Sequence, residues 1–212
     1  MINLYNQDCL AAMKRMDDDS YELAIVDPPY TDTFETIGCT DNKAKKTNYK
    51  ITSLNGHKPN QEYFDQLIRI SKNQIVFGAN HFISNIPYDS PCWIVWNKKN
   101  TGNYADCELA WTSFPTAVRM VEYRWNGMLQ ENMKNKEKRI HPTQKPVGLY
   151  RWILNNYANE GDRILDTHLG SGSIAIACHN LGFDLDGYEL DVDYYEAATK
   201  RLKEHQRQLK LF

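Results

Sequence analysis

Short apolar runs, separated by longer amphipathic or polar stretches, set the rhythm of this chain. Ile2 to Asn6, Glu22 to Val26, Gln74 to Gly78, Cys92 to Trp96 and Glu108 to Thr112 each read as a strand, and the stretches around residues 163 and 188 add two more. Val147 to Tyr157 carries Leu149, Trp152, Ile153 and Leu154 at helical spacing. Ile174 to Cys178 continues as an apolar helix that ends near Gly182. Asp191 to Leu209 has acids early and lysines and arginines late, as a final amphipathic helix should. Seven strands with interspersed helices predict a doubly wound α/β sheet. At 212 residues one domain, 1–212, is expected, with a substantial core and no internal repeat.

Candidate chemistry sits where these runs end. Asp27-Pro28-Pro29-Tyr30 follows the second strand directly. In open α/β sheets ligands bind at the strands' carboxyl ends. Two prolines remove two backbone donors and stiffen the turn, and each holds the residue before it extended. The result is a shelf presenting a carboxylate, free carbonyls and one aromatic face, which suits a flat, amino-bearing ring. An ordinary strand-ending turn with a capping Asp is the plainer reading of the same tetrapeptide.

A second cluster favours the ligand reading. Arg163 to Ser173 runs as strand, glycine turn and helix start, through Asp166, Thr167, His168, Leu169, Gly170, Ser171 and Gly172. The next strand, Asp184 to Leu190, ends on Glu189. In a βαβ nucleotide site, glycines let the backbone approach the ligand and the later acid grips the ribose hydroxyls. A phosphate-binding loop needs a Lys after the glycines, which is absent here. A nicotinamide site prefers a third glycine, and position 175 is Ala. An adenosine compound without a pyrophosphate, S-adenosylmethionine, fits best, with Asp166 facing its ammonium. Third, Ile140-His141-Pro142-Thr143-Gln144-Lys145-Pro146 leads into the Val147 helix. Pro at a helix start is ordinary, but a Lys just before the nucleotide-site strand can meet a carboxylate as a point charge.

The motifs D-P-P-Y, H-P-x-x-K-P and D-x-x-x-G-S-G-[ST], in this order, resemble those of the amino-group (N6-adenine or N4-cytosine) DNA methyltransferases of the β arrangement. The likeness runs from Asn3 to about Tyr195. It implies a mostly parallel, seven-stranded, Rossmann-like sheet with one reversed strand near an edge, and S-adenosyl-L-methionine as cofactor. By that likeness Asp8, with Cys9 beside it, meets the cofactor adenine and Glu189 its ribose. Asp166, Thr167, His168, Gly170, Ser171, Gly172 and Ser173 surround its methionine portion, Lys145 contacts its carboxylate, and Asp27, Pro28, Pro29 and Tyr30 form the catalytic segment. Family members often carry Pro-Phe where this chain has Thr167-His168, so His168 stands where an aromatic cofactor contact is usual.

The implied reaction is methyl transfer to the N6 amino group of an adenine flipped out of DNA. Asp at the first position of the catalytic motif leans toward adenine; N4 of cytosine is the alternative, and a catalytically silent DNA-binding module on this fold is a further one. Double-stranded DNA is the expected partner; a homodimer and a cognate restriction endonuclease are open.

Charge adds a footprint. Net charge is only −2, but Lys43, Lys45, Lys46, Lys50 and Lys58 cluster past the catalytic shelf, and Lys134, Lys136, Lys138 and Arg139 lead into the His141 motif. Segment 31–60 is expected to be a mobile DNA-contacting loop and 113–139 a target-recognition insertion, with Arg119 and Arg124 suited to guanine edges and Asn126 or Gln130 to adenine edges. Asn80, in a turn after a strand, is a pocket candidate. The five cysteines form no C-x-x-C spacing, so reduced thiols in a cytoplasm and no metal site are expected. No run is long enough to span a membrane, and the opening residues lead straight into a strand rather than a signal peptide.

Overall fold

The computed structural model describes residues 1–30, 58–100, 105–126 and 129–208; most of the expected DNA-contacting loop 31–60 lies outside them. The strands are β1 (Ile2–Asn6), β2 (Tyr21–Val26), β3 (Ser71–Phe77), β4 (Trp93–Asn97), β5 (Cys107–Thr112), β6 (Arg119–Glu122), β7 (Trp125–Asn126), β8 (Leu129–Gln130), β9 (Arg163–Asp166) and β10 (Asp184–Glu189). The helices are α1 (Cys9–Met13), α2 (Gln61–Ile70), α3 (Val147–Tyr157), α4 (Ser173–Leu181) and α5 (Val192–Gln208), with a 3-10 turn at Ala79–His81.

Eight strands form the main sheet, in the order β1-β10-β9-β2-β3-β5-β4-β6, and β7 with β8 makes a separate hairpin. The expected seven-stranded sheet therefore gains β6, which pairs parallel with β4 at the edge, within the 113–139 segment. One strand is reversed: β5 is antiparallel to both β3 and β4. It lies third from the edge, near it as the resemblance implies.

Central strands are apolar almost throughout, as buried parallel strands must be: Leu23, Ala24, Ile25 and Val26 of β2 are all buried. Helices cover both faces. On one side α1 and α2 contribute Met13, Tyr63, Phe64, Leu67 and Ile70, the last four spaced to share one helical face. On the other, α3, α4 and α5 contribute Leu149, Ile153, Leu154, Ile174, Ala177, Ala198 and Leu202. Asn60 caps α2 by accepting from Tyr63 N, and Gly182, in the left-handed conformation, ends α4.

This winding decides where a ligand can bind. From β2 the chain passes through α2 on one face to β3; from β9 it passes through α4 on the opposite face to β10, moving the other way along the sheet. Strands β2 and β9 are neighbours. The winding reverses between them, which opens a crevice at their carboxyl ends. Asp27 follows β2 and Asp166 ends β9, so the two acids flank that crevice.

Candidate active site

The Asp27 carboxylate is held on both oxygens. Tyr30 donates its hydroxyl to Oδ1 at 2.8 Å, and the Lys145 ammonium stands 2.5 Å from Oδ2. Lys145 is almost fully buried, lies over the Phe77 ring with its ammonium 4.6 Å from the centroid, and has Glu108 Oε2 3.3 Å away. Burial works to discharge this lysine, but Asp27 and Glu108 outweigh it and hold its pKa above the usual lysine value. Lys145 thus sits on the D-P-P-Y segment itself, beside Glu108, which nothing in the β5 run distinguishes from a surface acid.

Tyr30 is wedged. Gly78, at φ +63°, passes so close that a Cβ there would stand 2.0 Å from Tyr30 Cε1, and His81 stacks on the ring at 4.8 Å and 11°. Burial, then Asp27 and Glu108, push the phenol well above its usual pKa, so Tyr30 is a neutral donor to Asp27. The turn after β3 thus sets His81 on the Tyr30 ring; Asn80 and His81 are both exposed.

Across the crevice Asp166 is buried and accepts from His168 N at 3.0 Å. Burial, reinforced by Asp27 and Glu189, raises its pKa to about 8 against the opposing backbone hydrogen bond. Thr167 Oγ1 lies 2.6 Å from Tyr63 Oη and 2.9 Å from His168 Nδ1, and the His168 ring meets Tyr63 edge-on. Burial drops His168 to about 4, with Asp8 opposing, so it is a neutral wall near pH 7.

Glu189 accepts from Gly170 N at 2.8 Å and from Asp191 N at 2.9 Å, tying the glycine turn to the end of β10. Gly170 and Gly172 both take positive φ, and a Cβ on Gly172 would stand 3.2 Å from that of Ala198 on α5. Ser171 and Ser173 are buried and share a 3.0 Å hydrogen bond. Asp8 caps α1 by accepting from Ala11 N at 2.7 Å, and burial together with Asp8 raises the Cys9 thiol to about 12, leaving it protonated and unreactive.

The 113–139 segment is only partly free to read bases. Gln130 is buried with its amide closed on Glu137, donating to the Glu137 carbonyl and accepting from its amide, so it faces no base edge. Asn126 Oδ1 accepts from Leu129 N, whereas Arg119 and Arg124 are exposed. Among the described residues no group of three or more His, Cys, Asp or Glu side chains could hold a metal ion, and no helix is long and apolar enough to cross a membrane.

Two acids flanking a switch-point crevice, one carried on a D-P-P-Y shelf, match a known pattern across most of the chain: the N6/N4 DNA methylase model covers residues 21–200. The chain belongs to the N6/N4 DNA methylase family. It is similar to the type II methyltransferase M.HpaI of Haemophilus parainfluenzae, 27% identical over 91% of this chain and 71% of that protein. A shorter stretch, 37% of this chain and 29% of its relative, is 37% identical to the type II methyltransferase M2.DpnII of Streptococcus pneumoniae.

Solved methylases share the fold. The M1.HpyAVI–SAM complex superposes with TM-score 0.58 at 23% identity, over 95% of this chain and all of the other. The cytosine-N4-specific PvuII DNA methyltransferase superposes with TM-score 0.63 at 11% identity, over 98% and 92%. As a member of this family the chain is a DNA methyltransferase of the amino-group type.

Proposed function

We propose that this methylase transfers a methyl group from S-adenosylmethionine to the N6 amino group of an adenine flipped out of double-stranded DNA. The observation that carries the reading is the Asp27 carboxylate, fixed by Tyr30 and Lys145 at the switch point opposite Asp166. Asp rather than Ser at the head of the motif supports adenine.

The residues present fit the cofactor. Asp166 is a buried carboxylate whose burial, with Asp27 and Glu189 nearby, raises its pKa to about 8 against the pull of the His168 amide and Lys145; a ligand ammonium there would let it ionise. Glu189 would take the ribose hydroxyls, Asp8 and Cys9 would border the adenine, and Gly170 to Ser173 would admit the methionine portion. The ammonium of Lys145, held by Asp27 and Glu108, serves the catalytic segment rather than the cofactor's carboxylate. When bound, S-adenosylmethionine supplies a methyl group on a positively charged sulfur, which departs as a neutral thioether.

The protein's part is to make a poor nucleophile point the right way. An exocyclic amine shares its lone pair with the ring. Asp27 and the Pro28 carbonyl accept the two amine hydrogens and draw that lone pair out of conjugation. As the new N–C bond forms, positive charge grows on nitrogen, and Asp27 stabilises it and receives the proton the product amine sheds. The extruded base stacks on Tyr30 by taking the place His81 holds on that ring, recovering part of the few kcal/mol that unstacking costs. No covalent enzyme intermediate is needed. N4 of cytosine presents the same amine chemistry, and the fold shared with a cytosine-N4-specific enzyme keeps it as the second reading.

The test is digestion of DNA after incubation with labelled cofactor, followed by mass spectrometry of the nucleosides. N6-methyladenine supports the assignment, and N4-methylcytosine replaces the base while keeping the mechanism. Asp27→Ala is expected to abolish turnover yet leave cofactor affinity within about threefold of wild type; parallel loss of both would make Asp27 structural.

A further inference from the structure

The reversed strand brings a second acid to the site. In a sheet whose other strands deliver their carboxyl ends to the crevice, β5 delivers its start, and Glu108 stands near that start, paired in register with Trp96 of β4. Its Oε1 takes the ammonium of Lys98, just past β4, and its Oε2, which accepts no hydrogen bond, faces the Lys145 ammonium at 3.3 Å. Four charges therefore alternate in one partly buried line: Lys98, Glu108, Lys145, Asp27. Side-chain exposure along it runs from 4% at Lys145 to 24% at Glu108, so the charges act on each other with little water between them.

This line resolves a conflict at Asp27. The carboxylate must be fixed in place, and a buried ammonium does that. An ammonium held by Asp27 alone would also draw down the electron density the amine needs, just as positive charge grows on the substrate nitrogen.

We propose that Glu108 is a positioning residue for methyl transfer: it shares the Lys145 ammonium with Asp27, so that Asp27 is held in place and remains an acceptor for the amine. This rests on the reading of Asp27 given above. As the amine donates to Asp27, Glu108 Oε2 is the acceptor onto which Lys145 can lean. The other titratable groups facing this line are Tyr30, Tyr150 on α3, Asp166 and His141.

The test compares wild type, Glu108→Gln and Glu108→Asp in single-turnover methylation across pH, with cofactor affinity measured in parallel. Glu108→Gln keeps the shape and removes the charge. Its rate is expected to fall at least about tenfold, with cofactor affinity within about threefold of wild type. Lys145 loses one of the two carboxylates that hold its proton, so the alkaline limb of the rate profile moves to lower pH. Glu108→Asp recovers part of both changes. An unchanged rate and limb in Glu108→Gln overturns the proposal while an inactive Asp27→Ala leaves the mechanism standing. Equal loss of rate and cofactor affinity also overturns it, by making Glu108 structural. A wild-type protein that methylates no DNA removes the reading on which it rests, and the proposal with it.

Discussion

At the scale of single residues, the site is built by close contacts that leave no room for variation. Gly78 shows this best. It follows β3, has φ +63°, and lies under the Tyr30 ring, where a Cβ would come within 2.0 Å of Cε1. Gly78→Ala must move either the turn or the ring, and the ring carries the hydroxyl that donates to Asp27 and the stack with His81. The expected outcome is a fall of about 100-fold in single-turnover rate, as for misplacement of a catalytic group by about an ångström. Cofactor affinity stays near wild type, and stability drops by about 1–2 kcal/mol from the left-handed backbone. Rapid-quench methylation and urea unfolding read the two effects separately.

The sequence made the motif residues themselves legible, because D-P-P-Y and the glycine turn place chemistry at strand ends where ligands bind. Their supports were not legible. Glu108, Tyr63 and His81 come from separate parts of the chain and carry no local pattern. Only the fold sets them against Lys145, Thr167 and Tyr30.

At the scale of elements, a side chain on the last helix reaches both the glycine turn and the stretch that precedes the His141 motif. Arg201 on α5 donates from Nη1 to the Ser171 carbonyl and to Ser173 Oγ, each at 2.9 Å, and from Nη2 to Glu137 at 2.8 Å. Glu137 in turn accepts from Val147 N at the start of α3. The glycine turn has no side-chain cap on α4, so Arg201 braces it from α5 while Glu189 ties it to β10. Arg201→Met keeps the packing of the stem and removes the guanidinium. Unfolding free energy should drop by about 2 kcal/mol, since both partners of the ion pair are mostly buried. Cofactor affinity should fall about tenfold through the loosened turn, as calorimetric titration would show; unchanged affinity would mean that the turn holds its shape without α5.

Strong periodicity made α3 and the core strands readable from sequence. Strand β6 was not readable, because only Val121 of its four residues is buried and an edge strand with one inward side chain has no alternation to see. Glu137 was hidden for the opposite reason, as a lone acid in a basic run.

For the whole molecule, the fold gathers carboxylates from β2, β9 and β10 around one crevice, and the free protein bears the cost of that gathering. The doubly wound class followed from the order of apolar runs, but the switch point between β2 and β9 depends on strand pairing, which no local pattern encodes. Asp166 shows the consequence. Its pKa is about 8 in the fold against about 4 in an unfolded chain. The folded state therefore binds the proton more tightly, and this group lowers stability as pH rises from about 4 to about 8, with no further change above. Glu189 is shifted the same way by burial and adds to the fall.

A cationic ligand group beside Asp166 reverses this, since ionisation is then favoured inside the fold. Two measurements follow from the same linkage. Asp166→Asn should be more stable than wild type at pH 8, by up to about 5 kcal/mol, and equal to it below pH 4, while binding cofactor weakly. Binding of S-adenosylmethionine to wild type at pH 6 to 7 should release close to one proton, read as a dependence of binding enthalpy on the ionisation enthalpy of the buffer. Binding without proton release would show that Asp166 is already ionised in the free protein. An Asp166→Asn protein that binds normally would show that the ammonium is held elsewhere. If Asp166 holds the cofactor ammonium, its proton must be displaced at pH 5 but much less so at pH 8, so apparent affinity, and with it the thermal shift caused by S-adenosylmethionine, should be larger at pH 8 than at pH 5.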